Sequence, residues 1–184
     1  GASALFTKTT GDDNTAIGTN ALYANTTASN NVAVGMNSLT ANTTGSENTA
    51  VGTTSLDANT EGDDNVGMGY AALGANTTGN KNVAIGNNAL DANTTADNNT
   101  AVGFDALTAN TTGATNTAVG KSALDANTVG GANTVVGADA LSADTKGSRS
   151  VAIGTSALEV QNFTSATNVY NTAVGFNAGV SVTT

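Results

Sequence analysis

Few side chains in this chain could do chemistry: carboxylates, hydroxyls and amides. Histidine and cysteine are both absent from its 184 residues, so there is no imidazole base poised near neutral pH and no thiol nucleophile. Disulfides and thiolate metal sites are excluded on the same ground. Paired carboxylates remain, in Asp12-Asp13 and Asp63-Asp64, a pattern that serves acid–base catalysis or weak calcium binding. The same two positions carry Ser46-Glu47, Asn80-Lys81 and Ala114-Thr115 elsewhere in the chain, and such free interchange describes a solvated turn. Gly120-Lys121-Ser122 echoes the end of a phosphate-binding loop, but Thr115 stands where that loop requires its first glycine. The sequence predicts no catalytic residue, no cofactor and no metal, and a protein that is not an enzyme.

All of these residues sit in a repeat. Glycine recurs at 1, 18, 35, 52, 69, 86, 103, 120, 137 and 154, every 17 residues, and Gly175 follows after 21. Four residues after each glycine stands a leucine, in Leu22, Leu39, Leu56, Leu73, Leu90, Leu107, Leu124, Leu141 and Leu158. The unit reads N-T/V-A-V/I-G-x-x-A-L-x-A-N-T-T-G-x-x. So short a period holds no helical hairpin, and Asn, Thr, Gly and Val are poor helix formers. The expected fold is all-β, a parallel β-solenoid (β-roll) of 17-residue coils. One strand is expected at T/V-A-V/I-G and a second at A-L-x-A, with left-handed turn residues in N-T-T-G. Ten coils at the strand spacing would make a rod of about 50 Å, its Asn and Thr columns forming ladders that satisfy the turn backbones. The chain reads as a single repeat domain over 1–184, with an insertion at 159–170 in the penultimate coil; because Gly1 falls inside a repeat, it also reads as a fragment of a longer fibre.

Charge placement separates wet positions from dry ones. The 14 acidic and five basic residues are confined to the first, second, fifth, seventh, ninth, eleventh and twelfth positions after the glycine. None lies in the strand before it. The residue preceding each glycine is Ile17, Val34, Val51, Met68, Ile85, Val102, Val119, Val136, Ile153 or Val174, and the one before that is nearly always Ala, as in Ala16 and Ala33. A strand with one wet face alternates polar and apolar side chains; this one has two dry faces. A thin coil covers only one of them, so the column from Ile17 to Val174 is expected to be an oligomer or core face and the Leu column the core. The inference is an oligomer of identical chains.

The net charge of −9 opposes binding to nucleic-acid phosphates or anionic membrane surfaces, and no run approaches the roughly 20 apolar residues of a membrane span. Neither nucleic acid nor membrane insertion is expected. Asn-Thr-Thr triplets such as Asn25-Thr26-Thr27 match glycosylation acceptors but read better as ladder residues. The complete Thr column resembles the Thr arrays of ice-binding solenoids, though the next column is broken by Glu61, Val129 and Lys146. The inserted stretch contains Phe163 and Tyr170, a possible receptor contact because aromatic rings stack on sugars and anchor interfaces; the alternative is that they cap the rod.

Ser150-Val151-Ala152-Ile153-Gly154, Asn31-Val32-Ala33-Val34-Gly35 and Asn82-Val83-Ala84-Ile85-Gly86 resemble the head repeats of YadA-type trimeric autotransporter adhesins. With Ala109-Asn110-Thr111-Thr112-Gly113 they are also similar to repeats of phage tail fibres. The resemblance implies a homotrimer of left-handed rolls, located outside the cell on a virion tail fibre or a bacterial surface. The expected function is a structural or adhesive fibre segment for attachment, with a cell-surface glycan or protein receptor as possible partner. The alternative expectation is a monomeric Thr-rich solenoid that binds ice or polysaccharide. The 17-residue unit is longer than the usual adhesin-head unit by its N-T-T-G turn.

Overall fold

The computed structural model describes residues 1–182. Twelve short strands follow one another: β1 (Thr15–Ile17), β2 (Val32–Val34), β3 (Thr49–Val51), β4 (Val66–Met68), β5 (Val83–Ile85), β6 (Thr100–Val102), β7 (Thr117–Val119), β8 (Thr134–Val136), β9 (Gly147–Ser148), β10 (Val151–Ile153), β11 (Thr167–Asn168) and β12 (Thr172–Val174). Ten of them form one parallel sheet in the order β1 to β8, then β10 and β12, while β9 and β11 pair separately. Each residue faces its equivalent one repeat away, as Thr15 faces Val32 and Ala16 faces Ala33. The chain is a parallel β-solenoid with one layer per repeat. Nine spacings of about 4.8 Å stack the ten layers over about 43 Å.

The interior is one leucine wide. The Leu column and the Ala residues that flank it, such as Ala33, Ala50, Ala72 and Ala84, are fully buried. The leucines do not lie in a second strand, contrary to the expectation from A-L-x-A. All of them adopt left-handed backbone angles, with φ between 48° at Leu141 and 55° at Leu73. Turns carry the chain past each one, and at Leu22 three overlap: Ala21 N donates to Gly18 O (3.4 Å), Tyr23 N to Asn20 O (3.2 Å) and Asn25 N to Leu22 O (3.3 Å). The left-handed region costs a leucine about 1–2 kcal/mol. Burial of its side chain, worth about 1.5–3 kcal/mol, and ladder bonds to the next coil offset that cost, as when Leu22 N donates to Ser38 O (3.1 Å). The N-T-T-G segment, conversely, supplies no left-handed residue; those positions are the leucine, the residue two before it, and the residue before the strand's Asn.

Two Asn columns run inside the rod as expected of ladders. In one coil, Asn48 Nδ2 (2.8 Å) and Asn59 Nδ2 (3.0 Å) converge on the carbonyl of Gly62. Between coils, Asn48 N donates to Asn31 Oδ1 (2.9 Å) and Asn59 Nδ2 to Asn42 Oδ1 (2.9 Å). Each amide therefore closes its own turn and ties it to a neighbour, and no buried turn carbonyl of this set is left to water. The second Asn column includes Asp144, a position counted among the wet ones from its charge. Asp144 is fully buried, so that expectation is corrected: the column is interior, and its one carboxylate is held by hydrogen bonds described below.

Candidate functional site

The outer side of the ten-stranded sheet is a continuous surface along the rod. Alternation along each strand turns the Ala side chains inward and the residues on either side of them outward. Of the column from Ile17 to Val174, none is buried: Ile17 is 59% exposed, Met68 41%, Ile85 39% and Val174 68%, while Val34, Val51, Val102 and Val119 are half-buried by their stacked neighbours. Their shared place is the outside of the coil, not its core. Met36, Tyr70, Phe104 and Phe176, each just after a repeat glycine, are exposed as well. Together they form an apolar ridge running the length of the rod. The sequence marked the column as dry but left open whether it faced the core or another chain; its large flank was signalled only by Met36, Tyr70, Phe104 and Phe176 after alternate glycines, with Ala138 as the break.

The turn carboxylates take structural roles. Asp63 Oδ1 accepts from Ser46 N (2.7 Å), Asn80 Oδ1 from Asp63 N (2.8 Å) and Asp97 Oδ1 from Asn80 N (2.6 Å). This is a third ladder, on the surface, that Ser, Asp and Asn serve equally well because each offers an acceptor at the same reach. These residues line a shallow open depression with Asp64, Lys81 and Asn98, and among the described residues no group of three or more potential ligands gathers to hold a metal. Asp57, Asp91 and Asp125 form a second acidic column. Burial holds all three carboxyls above the usual carboxylate range, and neighbouring carboxylates add to the effect, Asp91 beside Asp57, Asp105 beside Asp91, and Asp139 beside Asp125.

The Thr column is engaged within the rod. Thr43 Oγ1 donates to Thr60 O (3.0 Å) and Thr77 Oγ1 to Thr94 O (3.0 Å), and the pattern repeats along the stack. Asn25, Asn42, Asn76, Asn93 and Asn110 of the Asn-Thr-Thr triplets are fully buried, which closes them to glycosylation in the folded chain. Lys121 Nζ meets Asp139 Oδ1 at 3.2 Å on the surface, an ordinary ion pair in the segment that echoed a phosphate loop.

Phe163 and Tyr170 both lie within the insertion but do not stack on each other; Phe6 and Tyr23 do, with centroids 5.4 Å apart. Thr167 pairs with Gly147 and Asn168 with Ser148, and the register of the main sheet resumes where Val151 faces Thr172, so most of the extra residues loop out between Phe163 and Ala166 and the last enters between Asn168 and Thr172. Tyr170 is 64% exposed and its hydroxyl accepts from Arg149 Nη1 at 2.7 Å, with the guanidinium 5.6 Å from the ring centroid. Beneath the loop lies a polar plug that the sequence did not reveal. Asp144 Oδ1 accepts from Gly147 N (2.9 Å) and Phe163 N (3.0 Å), its Oδ2 from Gln161 Nε2 (2.8 Å), and Gln161 Oε1 accepts from Asn171 Nδ2 (2.7 Å). Its signal was the joint departure of three ladder positions, Asp144, Ser150 and Gln161, next to the only change of spacing.

No protein-family model, curated protein or solved structure matches the chain. The fold and its surface define a class, the parallel β-solenoid repeat proteins, with one apolar face uncovered. Among the described residues no helix is long and apolar enough to cross a membrane.

Proposed function

We propose that the chain is a non-enzymatic structural segment of an extracellular fibre, of the kind found in phage tail fibres and bacterial trimeric adhesin heads, in which three copies pack through the apolar ridge. The observation that carries this reading is the ridge itself: a column of Val, Ile and Met, one per layer and uninterrupted by charge, left outside a coil whose interior is already filled. Contiguous exposed apolar surface on this scale marks an interface, and a straight column suits identical partners lying alongside it. The resemblance of the Val-Ala-Ile-Gly strands to trimeric adhesin heads supports three as the number. Attachment to a host or receptor surface follows from the same resemblance.

The test is the solution mass by multi-angle light scattering. A mass of three chains is expected. A single-chain mass at micromolar concentration overturns the reading and returns first place to a monomeric Thr-rich solenoid for ice or polysaccharide, a role for which the Thr hydroxyls already donating to neighbouring carbonyls are less suited.

A further inference from the structure

The looped-out segment Phe163–Ala166 lies against the coil that follows Gly137, whose charged residues are Asp139, Asp144, Lys146 and Arg149. The chain has only five basic residues and a net charge of −9, yet two of the five, Lys146 and Arg149, belong to the coil against which the loop is folded. Thr145 Oγ1 donates to Phe163 O at 3.1 Å at one foot of the loop, and Gly147 pairs with Thr167 at the other. Lys146, half-buried, is the residue between these two feet. Arg149 reaches the Tyr170 hydroxyl just beyond it. Neither cation forms an ion pair among the described residues. The neighbouring carboxylates are turned elsewhere: Asp144 is interior, and Asp139 and Glu159 line a separate depression with Asp125 and Ser142.

The interior shows that the loop is held in place at a cost. In the preceding coils each Asn of the second column donates to the Oδ1 of the one before, ending with Asn127 Nδ2 on Asn110 Oδ1 (2.9 Å). Asp144 has no amide hydrogen to continue the chain, and Asn127 Oδ1 is left buried without a partner. Its carboxylate instead collects Gly147 N, Phe163 N and Gln161 Nε2. Charge-assisted bonds of this kind are stronger than neutral ones, and an orphaned acceptor beside them marks a site where local order is given up for something else.

We infer that Lys146, Arg149, Tyr170 and the Phe163–Ala166 loop form a recognition surface for an acidic polysaccharide, and that Asp144 is its positioning residue. Two cations outside any ion pair among the described residues meet carboxylate or sulfate groups, the exposed ring of Tyr170 beside the Arg149 guanidinium offers a stacking face, and Thr164, Ser165 and Asn168 at the exposed rim offer hydrogen bonds to sugar hydroxyls. The assignment rests on the fibre reading for its biological use but not for its chemistry.

Titration of the full chain with a heparin octasaccharide at low ionic strength, with dextran as the neutral control, tests it. Saturable binding of heparin alone is expected. Lys146→Gln and Arg149→Gln should each weaken it roughly tenfold and lower the slope of log affinity against log salt by about one, while Lys81→Gln on another coil changes neither. Asp144→Asn should weaken binding and speed amide exchange at Phe163 while the far-ultraviolet circular dichroism of the rod is kept. Absence of saturable binding, an equal loss in Lys81→Gln, or full binding in Lys146→Gln/Arg149→Gln overturns the surface; unchanged exchange and binding in Asp144→Asn overturns the positioning role. The light-scattering mass of the same samples separates the two readings, since a single-chain mass with heparin bound refutes only the fibre, and a three-chain mass without binding refutes only the surface.

Discussion

Ser55 Oγ donates to the carbonyl of Gly67, 12 residues on in the next coil, at 2.9 Å, and occupies the space that a Cβ on Gly67 would need, 2.6 Å from it. In most other coils this pair of positions is filled by two alanines, as in Ala72 and Ala84, with Ser38 and Ala50 or Ala123 and Val135 as the exceptions. The hydroxyl and the missing methyl are thus one compensated change in a core with no slack. Gly67→Ala alone should destabilise the rod by about 1–3 kcal/mol, and Ser55→Ala should recover most of that loss. Chemical denaturation of the two single variants and the double variant gives the coupling; additive losses would show that the two positions do not share the space.

Ser38 is the control that nature supplies. It holds the same position as Ser55 one coil earlier, but it faces Ala50 instead of a glycine, and its hydroxyl is buried without a hydrogen-bond partner. Apart from Ser38 and Ser55, this position is Ala in every coil, as in Ala21, Ala72, Ala89 and Ala106. Ser38→Ala is expected to raise stability by about 1 kcal/mol, since it removes an unsatisfied buried group and creates no cavity of consequence. A lower denaturation midpoint would show that the hydroxyl has an acceptor after all.

These compensations also show how far the sequence could be read. The period, the parallel stacking and the buried Leu column were legible, because each is a property of one residue type repeated at one position; the column from Ile17 to Val174 was legible as dry but not as outward. The backbone of A-L-x-A was not. Leucine rarely enters the left-handed region, and only Asn20, Asn37, Asn88, Asp105 and Asp139 two residues before it hinted at turns. The interior place of the second Asn column was hidden for a related reason. Lys8 and Asp144 put charge in that column, and a charge ordinarily means solvent; only the donors gathered from Gly147, Phe163 and Gln161 allow the carboxylate inside. The Asp144–Gln161 plug arises from the meeting of a changed coil with an insertion, and periodicity carries no information about a position that departs from it.

The acidic column gives the rod a pH dependence of definite sign. Burial first, and neighbouring carboxylates second, raise Asp57, Asp91 and Asp125 above the ordinary value of 3.8. A carboxyl whose folded pKa is raised binds its proton more tightly when folded, so its contribution to stability is present below about 3.8 and is lost as pH rises through the raised folded value. Neutral pH is therefore the unfavourable side for these three groups. Asp57→Asn, Asp91→Asn and Asp125→Asn should raise the melting temperature near pH 7, and the gain should vanish near pH 3. A gain that persists in acid would assign the effect to packing and not to charge.

Ile85 and Val102 are outward neighbours on the ridge, paired in register across β5 and β6, and they separate the stability of one chain from the association of several. Neither contributes to the buried Leu and Ala cluster of the interior, so Ile85→Glu with Val102→Glu leaves the coil's own core intact. If copies meet along the ridge, the two carboxylates of each chain would be desolvated against the same carboxylates of its partners, where like charges brought together cost several kcal/mol. The double variant is expected to keep its β circular dichroism and to fall to single-chain mass in light scattering. Thr112→Glu with Thr95→Glu, placed in an exposed column on the N-T-T-G turns of the same part of the rod, should add the same charge and leave the mass at three chains. Retention of the three-chain mass by the ridge variant would move the interface to another face, and loss of mass in both variants would make the association a matter of net charge alone.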